Sequence, residues 1–297
     1  MRKGRKAINR KMIRYPNERA VNFYGKQKAL PDFCRAFALG EIMDNGLDYL
    51  LRYLLDEGNY TESIPKSHDD KWRLFHALVN IRKPKPISED FLIQQDCLLK
   101  SLIAEKGITD IDDLEPVREG IYLWRGDITT LKVGAIVNAA NSGMLGCFVP
   151  HHACIDNAIH TFAGVQLRLD CAEIMDMQGY QEPTGEAKIT SAYNLPSNYI
   201  LHTVGPIVSG NLTNEHIRLL SCCYRSCLDL AEKNKIESVA FCCISTGEFR
   251  FPNDEAATIA VNTVLDYMQS CHNVQRVVFN VFKEQDERIY DRILRQD

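Results

Sequence analysis

The sequence predicts an α/β fold in which a largely parallel sheet is covered by helices on both faces. The 297-residue chain is 45% hydrophobic and 25% charged, which is typical of a globular protein with one large domain and a smaller element. From Gly120 onward, short β-branched or aromatic runs bounded by Gly, Pro, Asn or Asp alternate with longer segments of helical period. Strands that alternate with helices favour a parallel sheet.

The individual elements follow from these runs. We predict strands at residues 121–124, 135–137, 187–192, 199–204, 238–244 and 276–282, and helices at residues 155–177, 214–234, 254–269 and 285–294. In open parallel sheets, ligands bind at the carboxyl ends of the strands. The loops that follow strands are therefore the places to search for a functional site.

The N-terminal part of the chain has a different texture. Apolar residues recur at helical spacing in residues 33–55, 72–79 and 91–103, which predicts a small helical region. It contains no cluster of His, Cys and Asp that indicates chemistry, so no function is assigned to it. The acidic segment at residues 108–115, which ends at Pro116, is the expected boundary with the α/β part.

Charge is distributed unevenly along the chain. Residues 1–28 hold ten Lys or Arg and the single acidic residue Glu18, which leaves 25 basic and 38 acidic residues in the remainder, a net charge of −13. An acidic body argues against a general nucleic-acid surface there. We expect the basic segment to be a solvated and poorly ordered arm.

The sequence also predicts the compartment. No stretch approaches the roughly 18 apolar residues that a membrane span needs, and the N-terminus lacks the apolar core of a secretion signal. The eleven cysteines fall mostly in apolar runs such as residues 239–244, so we expect reduced core thiols rather than a disulfide framework. These features predict a cytoplasmic protein without membrane contact.

Two of the loops after predicted strands contain groups suited to a nucleotide. Asp127, in the run Gly-Asp-Ile at residues 126–128, can accept a hydrogen bond from an amino-bearing heterocycle, although Gly-Asp is also a common turn. Residues 245–252 place hydroxyls and a glycine before a helix N-terminus, where successive backbone N–H groups can bind a diphosphate. Phe249 can cover the apolar side of such a ligand.

A third loop, at residues 138–156, contains three good zinc ligands. Cys147, His152 and Cys154 have the spacing C-x4-H-x-C, and three protein ligands leave the fourth position free, as in catalytic zinc sites. Cys154 lies at the predicted start of a helix, where the helix dipole is expected to lower the pKa of its thiol. His151 is a competing ligand, and a chance cluster in a cysteine-rich chain is the alternative.

Together, these loops resemble the macrodomain family, the α/β module that binds ADP-ribose. The similarity covers roughly residues 118–297, and the matching segments, in the family's order, are residues 126–128, 137–141, 154–160, 202–206 and 245–252. The segment at residues 146–154 resembles the zinc-dependent class of microbial protein-ADP-ribose hydrolases. The resemblance implies a three-layer α/β/α fold with a mixed, largely parallel sheet.

The resemblance also implies a role for each site residue. One zinc ion is expected on Cys147, His152 and Cys154, in preference to His151, and these ligands, Asn141 and Asp156 form the expected catalytic set. Asp127 would accept from the adenine amino group, Asn141 would contact the distal ribose, and Asp156 matches the acid used by metal-free relatives. The complete set expected to bind ADP-ribose is Asp127, Ile128, Asn141, Ile155, Asp156, Ser245, Thr246, Gly247, Glu248, Phe249 and Phe282.

The implied activity is zinc-dependent removal of mono-ADP-ribose from a modified protein, with an Asp or Glu ester as the expected linkage because a carboxylate leaves easily. A non-catalytic reader of ADP-ribose with a structural zinc is the alternative. A redox or zinc sensor is disfavoured because Cys222-Cys223 and Cys242-Cys243 are adjacent pairs unsuited to a C-x2-C site.

The helical region resembles the extension that precedes the zinc-class macrodomain, and this similarity begins near Met43. We therefore predict a basic arm at residues 1–42, a helical extension at residues 43–115 and a macrodomain at residues 116–297. Residues 1–42 are expected to be a peripheral appendage or to reflect an upstream start choice.

Overall fold

The computed structural model describes residues 40–296, with side chains from Asn45 onward. Residues 1–39, which hold most of the predicted basic arm and the first part of the helix predicted at residues 33–55, lie outside the described residues. The described part belongs to one compact unit. None of its helices combines the length and apolarity needed to cross a membrane.

The helical extension consists of three helices, and all three predicted periodic segments are helical. They are α1 (Gly40–Gly58), α2 (His68–Ile81) and α3 (Glu89–Lys106). Ser67 and Ser88 cap α2 and α3 through hydrogen bonds to backbone N–H groups in the first turn. The apolar faces pack together around fully buried side chains, namely Leu47, Leu50, Leu51, Phe75 and Phe91.

The rest of the described chain contains helices and nine strands, of which seven form one mixed sheet, as the sequence predicts. The strands are β1 (Thr109–Asp110), β2 (Pro116–Arg118), β3 (Ile121–Arg125), β4 (Leu131–Lys132), β5 (Ala135–Ala140), β6 (Ala187–Ser191), β7 (Tyr199–Val204), β8 (Ser238–Phe241) and β9 (Arg276–Val281). The helices are α4 (Ile155–Ala163), α5 (Val165–Gln178), α6 (Asn214–Lys233), α7 (Asn253–Met268) and α8 (Glu284–Leu294). The sheet order is β2-β3-β9-β8-β5-β7-β6.

Five central strands of this sheet, β3, β9, β8, β5 and β7, are parallel, whereas β2 and β6 are antiparallel edge strands. β5, β7, β8 and β9 are buried on both faces, as expected when helices cover both sides of a sheet. β1 and β4 form a separate two-stranded parallel pair. The acidic segment at residues 108–115 contains β1 and the buried side chain of Ile111. The division into domains at residue 116 stays a prediction.

Three elements predicted for the α/β part differ clearly from the structure, and one of them is the strand predicted at residues 238–244, which ends at Phe241. The helix predicted at residues 155–177 is two helices, because Gly164 has a positive φ of 100° and no room for a side chain next to Gln95 and Gln166. The strand predicted at residues 135–137 continues to Ala140, so Asn138 belongs to β5 and not to the following loop. Asn138 is completely buried within the sheet.

The topology predicts a ligand-binding crevice between the carboxyl ends of β5 and β8. These strands pair through Ala135 with Val239 and Ile136 with Ala240, and β5 continues for four residues beyond the last pair. The chain leaves β5 towards β7 and leaves β8 towards β9, in opposite directions across the sheet. Such a reversal is where ligands bind in open α/β sheets.

Candidate active site

The predicted site loops follow adjacent strands and meet along one edge of the sheet. In sheet order, Asp127 follows β3, Phe282 follows β9, the loop at residues 245–252 follows β8 and the loop at residues 141–154 follows β5. The candidate site therefore extends across four neighbouring parallel strands, with the crevice between the last two of them, β8 and β5. An elongated ligand lying along this edge would contact all four segments.

Cys147, His152 and Cys154 come together at the β5 end of this edge. Their ligand atoms all lie within 4.8 Å of one another, and each residue is partly exposed. Cys147 Sγ is 3.4 Å from His152 Nδ1. Tetrahedral zinc with bonds of roughly 2.3 Å to sulfur and about 2.0 Å to nitrogen separates two such donors by about 3.5 Å. Two soft thiols and an imidazole at this spacing fit a zinc ion.

Cys154 is the N-cap of α4, as its predicted place at the helix start requires. Its Sγ accepts a hydrogen bond from Asn157 N at 3.4 Å. The lowering of its pKa expected at the helix start is outweighed in the protein alone. Burial raises the pKa of the Cys154 thiol to about 12, although the backbone hydrogen bond from Asn157 acts to lower it, and the nearby Cys147 and Asp156 add to the rise. A bound cation would favour the thiolate.

The other ring nitrogen of His152 faces the loop after β8. Its Nε2 lies 3.4 Å from Glu248 Oε1, while Nδ1 faces Cys147. With Nδ1 free to bind a metal, Nε2–H can donate to the carboxylate, which is the arrangement that orients histidine ligands in zinc sites. Glu248, which the sequence places only in the predicted diphosphate loop, therefore also reaches the cluster of Cys147, His152 and Cys154.

His151, the competing ligand in sequence, is directed elsewhere. Its backbone has a left-handed φ of 58°, and its ring packs edge-on against the ring of His76 at 5.1 Å. Among the described residues, the group of donors around Cys147 contains Cys147, His152 and Cys154 but not His151. The geometry agrees with the ligand set that the family resemblance implies.

A second group of donors, His160, Cys171 and His202, is buried beneath the site. Both ring nitrogens of His202 already have partners, because Nδ1 lies 3.1 Å from Asn138 Nδ2 and Nε2 lies 2.8 Å from Thr190 Oγ1. Burial also raises the pKa of the Cys171 thiol. These contacts fit a neutral structural network rather than a metal site.

Asp156 lies in the first turn of α4, two residues after the N-cap Cys154. Its carboxylate accepts hydrogen bonds from Asn138 Nδ2 at 2.8 Å and from Asn141 Nδ2 at 3.2 Å. Burial raises the pKa of Asp156 to about 6, against the opposing effects of these amides and of Arg168. Asn141 also donates to Gly146 O at 3.1 Å. Asn141 and Asp156 are therefore connected by hydrogen bonds to the loop at residues 141–154, which we call the metal loop.

The loop after β8 has hydrogen-bond donors that suit an anion. Ser245 has a left-handed φ of 66°, and its buried Oγ has no hydrogen-bond partner among the described residues. The backbone N–H groups of residues 247–249 likewise have no acceptor within the described part of the chain. Gly247 is open to solvent, with no atom near the place of a Cβ. Consecutive free N–H groups before the N-terminus of α7 suit a diphosphate.

Asp127 and Phe282 lie at the opposite end of the edge, directly after β3 and β9. Asp127 Oδ1 accepts from the backbone N and Oγ1 of Thr129, and Oδ2 accepts from Lys106 Nζ at 2.8 Å. Although burial acts to raise it, these hydrogen bonds hold the pKa of Asp127 below its usual value. The ring of Phe282 is 77% exposed, which leaves its face free for a ligand. Ile128 is buried beside them.

Three residues of the helical extension reach the site, although the sequence indicates no function for this region. Lys106 of α3 pairs with Asp127, and His76 and Asn80 of α2 contact the metal loop and α4. Each is far from its partner in the chain and belongs to no local motif. Helical period predicted that α2 and α3 bury one face, but not which site they pack against.

Comparison with known proteins agrees with this geometry. The family model described as Macro domain matches residues 137–260. A protein of Treponema medium named protein-ADP-ribose hydrolase is 55% identical over 252 residues, which are 83% of this chain and 97% of that protein. The chain belongs to the macrodomain family. A protein of the same name from Staphylococcus aureus is 48% identical over 84% of this chain and 96% of its own length.

Solved macrodomain structures are also similar. The crystal structure of the Trypanosoma brucei macrodomain in complex with ADP-ribose has a TM-score of 0.57 and 29% sequence identity, and the match covers 73% of this chain and 94% of that chain. The family model covers β5, the metal loop, β8 and the loop after it, so both walls of the crevice lie within the matched macrodomain.

Proposed function

We propose that this macrodomain is a zinc-dependent hydrolase that removes mono-ADP-ribose from modified protein side chains and releases ADP-ribose. The observation that carries the proposal is the placement of Cys147, His152 and Cys154 at one end of a crevice whose neighbouring loops suit a nucleotide sugar. The two relatives named protein-ADP-ribose hydrolase match over nearly their whole length, which supports the same activity here.

ADP-ribose would lie along the carboxyl edge of the sheet. Asp127 would accept from the adenine amino group with Ile128 beside it, and Phe282 would pack against the base. Free N–H groups at residues 247–249 would bind the diphosphate, with Ser245 and Thr246 beside them. Phe249 would cover the distal ribose. This order matches the order of the strands, because β3 and β9 lie on one side of β8 and β5 lies on the other.

The reacting end would then lie between Asn141, Ile155 and the zinc ligands. A zinc ion held by Cys147, His152 and Cys154 would supply a Lewis acid that polarises oxygen or acidifies water near neutral pH. Asn141 would orient the ribose while it remains hydrogen-bonded to Asp156. The partly exposed cluster leaves room for a modified side chain. We propose an ester to Asp or Glu as the linkage, because a carboxylate is the best leaving group among acceptor side chains.

The alternative is a reader that binds ADP-ribose while zinc only shapes the loop. A structural zinc site requires four protein ligands. Among the described residues, the metal cluster offers three, which favours the hydrolase. We also propose a cytoplasmic location and no role for nucleic acid or membrane as partner. Nine of the ten described cysteines are free thiols, which supports a reducing compartment, whereas Cys97 is disulfide-bonded.

Removal of the metal should separate the hydrolase from the reader. We expect the zinc-loaded protein to release free ADP-ribose from an automodified transferase domain, and a chelator to stop release while ADP-ribose still binds, because the adenine and diphosphate loops contain no zinc ligand. Release is measured by chromatography and binding by calorimetry. Restoration by added zinc is the control. Binding without release at any zinc concentration would favour the reader.

Phe282 provides a test of the adenine position. Because its ring is 77% exposed, Phe282→Ala should leave the thermal midpoint unchanged. Loss of base stacking should weaken ADP-ribose binding by about 1 to 3 kcal/mol, or roughly 5- to 150-fold in Kd. Calorimetry with ADP-ribose and with ribose 5-phosphate measures the effect. An equal loss for both ligands would place the ring away from the base.

A further inference from the structure

Asn80, near the end of α2 in the helical extension, is only 1% exposed and lies next to the metal loop. Its Oδ1 accepts from His151 N at 3.2 Å and from Asn157 Nδ2 at 2.9 Å. Its Nδ2 donates to Thr161 Oγ1 at 3.1 Å. One buried amide therefore joins the extension to the loop that carries the zinc ligands and to α4.

Asn157 continues the connection to the ligands themselves. Its Nδ2 also donates to Val149 O at 3.0 Å, in the middle of the metal loop. Its backbone N donates to Cys154 Sγ. Its Oδ1 accepts from His76 Nε2 at 2.9 Å, so a second residue of α2 fixes the same amide. Asn80 and Asn157 thus restrain the loop at Val149, at His151 and at Cys154.

This network can hold the loop in shape before a metal binds. The loop contains no regular secondary structure between β5 and α4, and His151 within it has left-handed backbone. Buried amides that satisfy one another have few alternative arrangements, because each broken hydrogen bond leaves an unpaired polar group away from water. Partners behind a metal site typically change its affinity 10- to 100-fold.

We infer that Asn80 is a positioning residue for zinc, and that the helical extension is therefore part of the metal site. The inference rests on the proposed zinc function, since it concerns the same ligands. Asn80 touches neither a ligand atom nor the crevice. It acts through Asn157 and the backbone of His151, by keeping Cys147, His152 and Cys154 close enough together to bind one ion.

The test compares Asn80→Leu with Gln95→Met. Gln95 is also 1% exposed and also links the extension to the α/β part, because its Oε1 accepts from Val165 N and its Nε2 donates to Gln166 Oε1. It has no hydrogen bond to the metal loop among the described contacts. Each substitution replaces a buried amide by a slightly larger apolar side chain of similar length and removes its hydrogen bonds, so both variants should lose similar stability.

Zinc affinity is the first measurement, by competition with a chromogenic chelator. We expect Asn80→Leu to bind zinc roughly 10- to 100-fold more weakly and Gln95→Met to bind it as the unaltered protein does. Asn80→Asp, which keeps the accepting oxygen, should recover most of the affinity. ADP-ribose affinity should change less than about 3-fold in all variants. Equal zinc affinity in Asn80→Leu and Gln95→Met would overturn the inference.

A second measurement uses the metal-free protein. Alkylation of Cys147 and Cys154, followed by peptide mass spectrometry, should be several times faster in Asn80→Leu than in Gln95→Met, because the loop is less restrained. If the unaltered protein binds no zinc, the proposed function fails, whereas the alkylation rates still test the restraint. If the unaltered protein binds zinc but the two variants are alkylated at equal rates, the role of Asn80 is overturned and the proposed function stands.

Discussion

Cys154→Ala should retain ADP-ribose binding and lose most turnover. The variant removes one of the three proposed zinc ligands, while the proposed adenine loop at Asp127 and the amides of residues 247–249 remain intact. Loss of the metal removes several kcal/mol of stabilisation, which corresponds to a fall in kcat of roughly 1,000-fold or more. Release of ADP-ribose and bound zinc, measured on the same preparation, test this result.

Cys222→Ala is the matched control for that experiment. Cys222 is also a partly buried free thiol, on α6, and it does not belong to the metal cluster. This variant should keep zinc, binding and turnover. Full activity in a metal-free Cys154→Ala protein would refute the zinc mechanism. Loss of ADP-ribose binding together with turnover would instead show that the metal loop is needed to form the crevice.

The central part of the fold was predictable because its signals are local. Tyr199–Val204 is strand over the same residues in sequence and structure, since a β-branched and aromatic run between turn residues has few other solutions. The antiparallel direction of β6 was not predictable in this way. Its residues form an ordinary strand pattern, and only pairing with β7 fixes its direction.

The metal cluster was predictable for the same reason, because Cys147, His152 and Cys154 lie within eight residues. The effect of the surrounding protein on the pKa of Cys154 was not predictable from the sequence. Position at a helix start suggested a low pKa, but burial has the larger and opposite effect. Asn80 was missed because it meets His151 across 71 residues of chain, with no local pattern to mark it.

The second large effect is expected at Asp156. Its carboxylate is buried and accepts hydrogen bonds from the side-chain amides of Asn138 and Asn141. Asp156→Asn must therefore place an NH2 group against one of these donors. If Asp156 handles a proton in hydrolysis, kcat should fall by about 100- to 10,000-fold. Zinc content should change little, because Asp156 does not belong to the Cys147, His152 and Cys154 cluster.

Stability and a second variant distinguish this role from a structural one. Burial raises the pKa of Asp156 to about 6, so above that pH the ionised carboxylate costs folding free energy, and the neutral amide removes this cost. Because the new NH2 group also faces one of the two amide donors, the gain and the loss oppose each other, and Asp156→Asn should shift the thermal midpoint at pH 7.5 only slightly. If Asp156 only orients Asn141, then Asn141→Ala should lose as much kcat as Asp156→Asn, and the double variant should lose no more. A further fall of kcat in the double variant would show that Asp156 has a catalytic role independent of Asn141. The effects of two substitutions on kcat do not add when one residue acts only through the other.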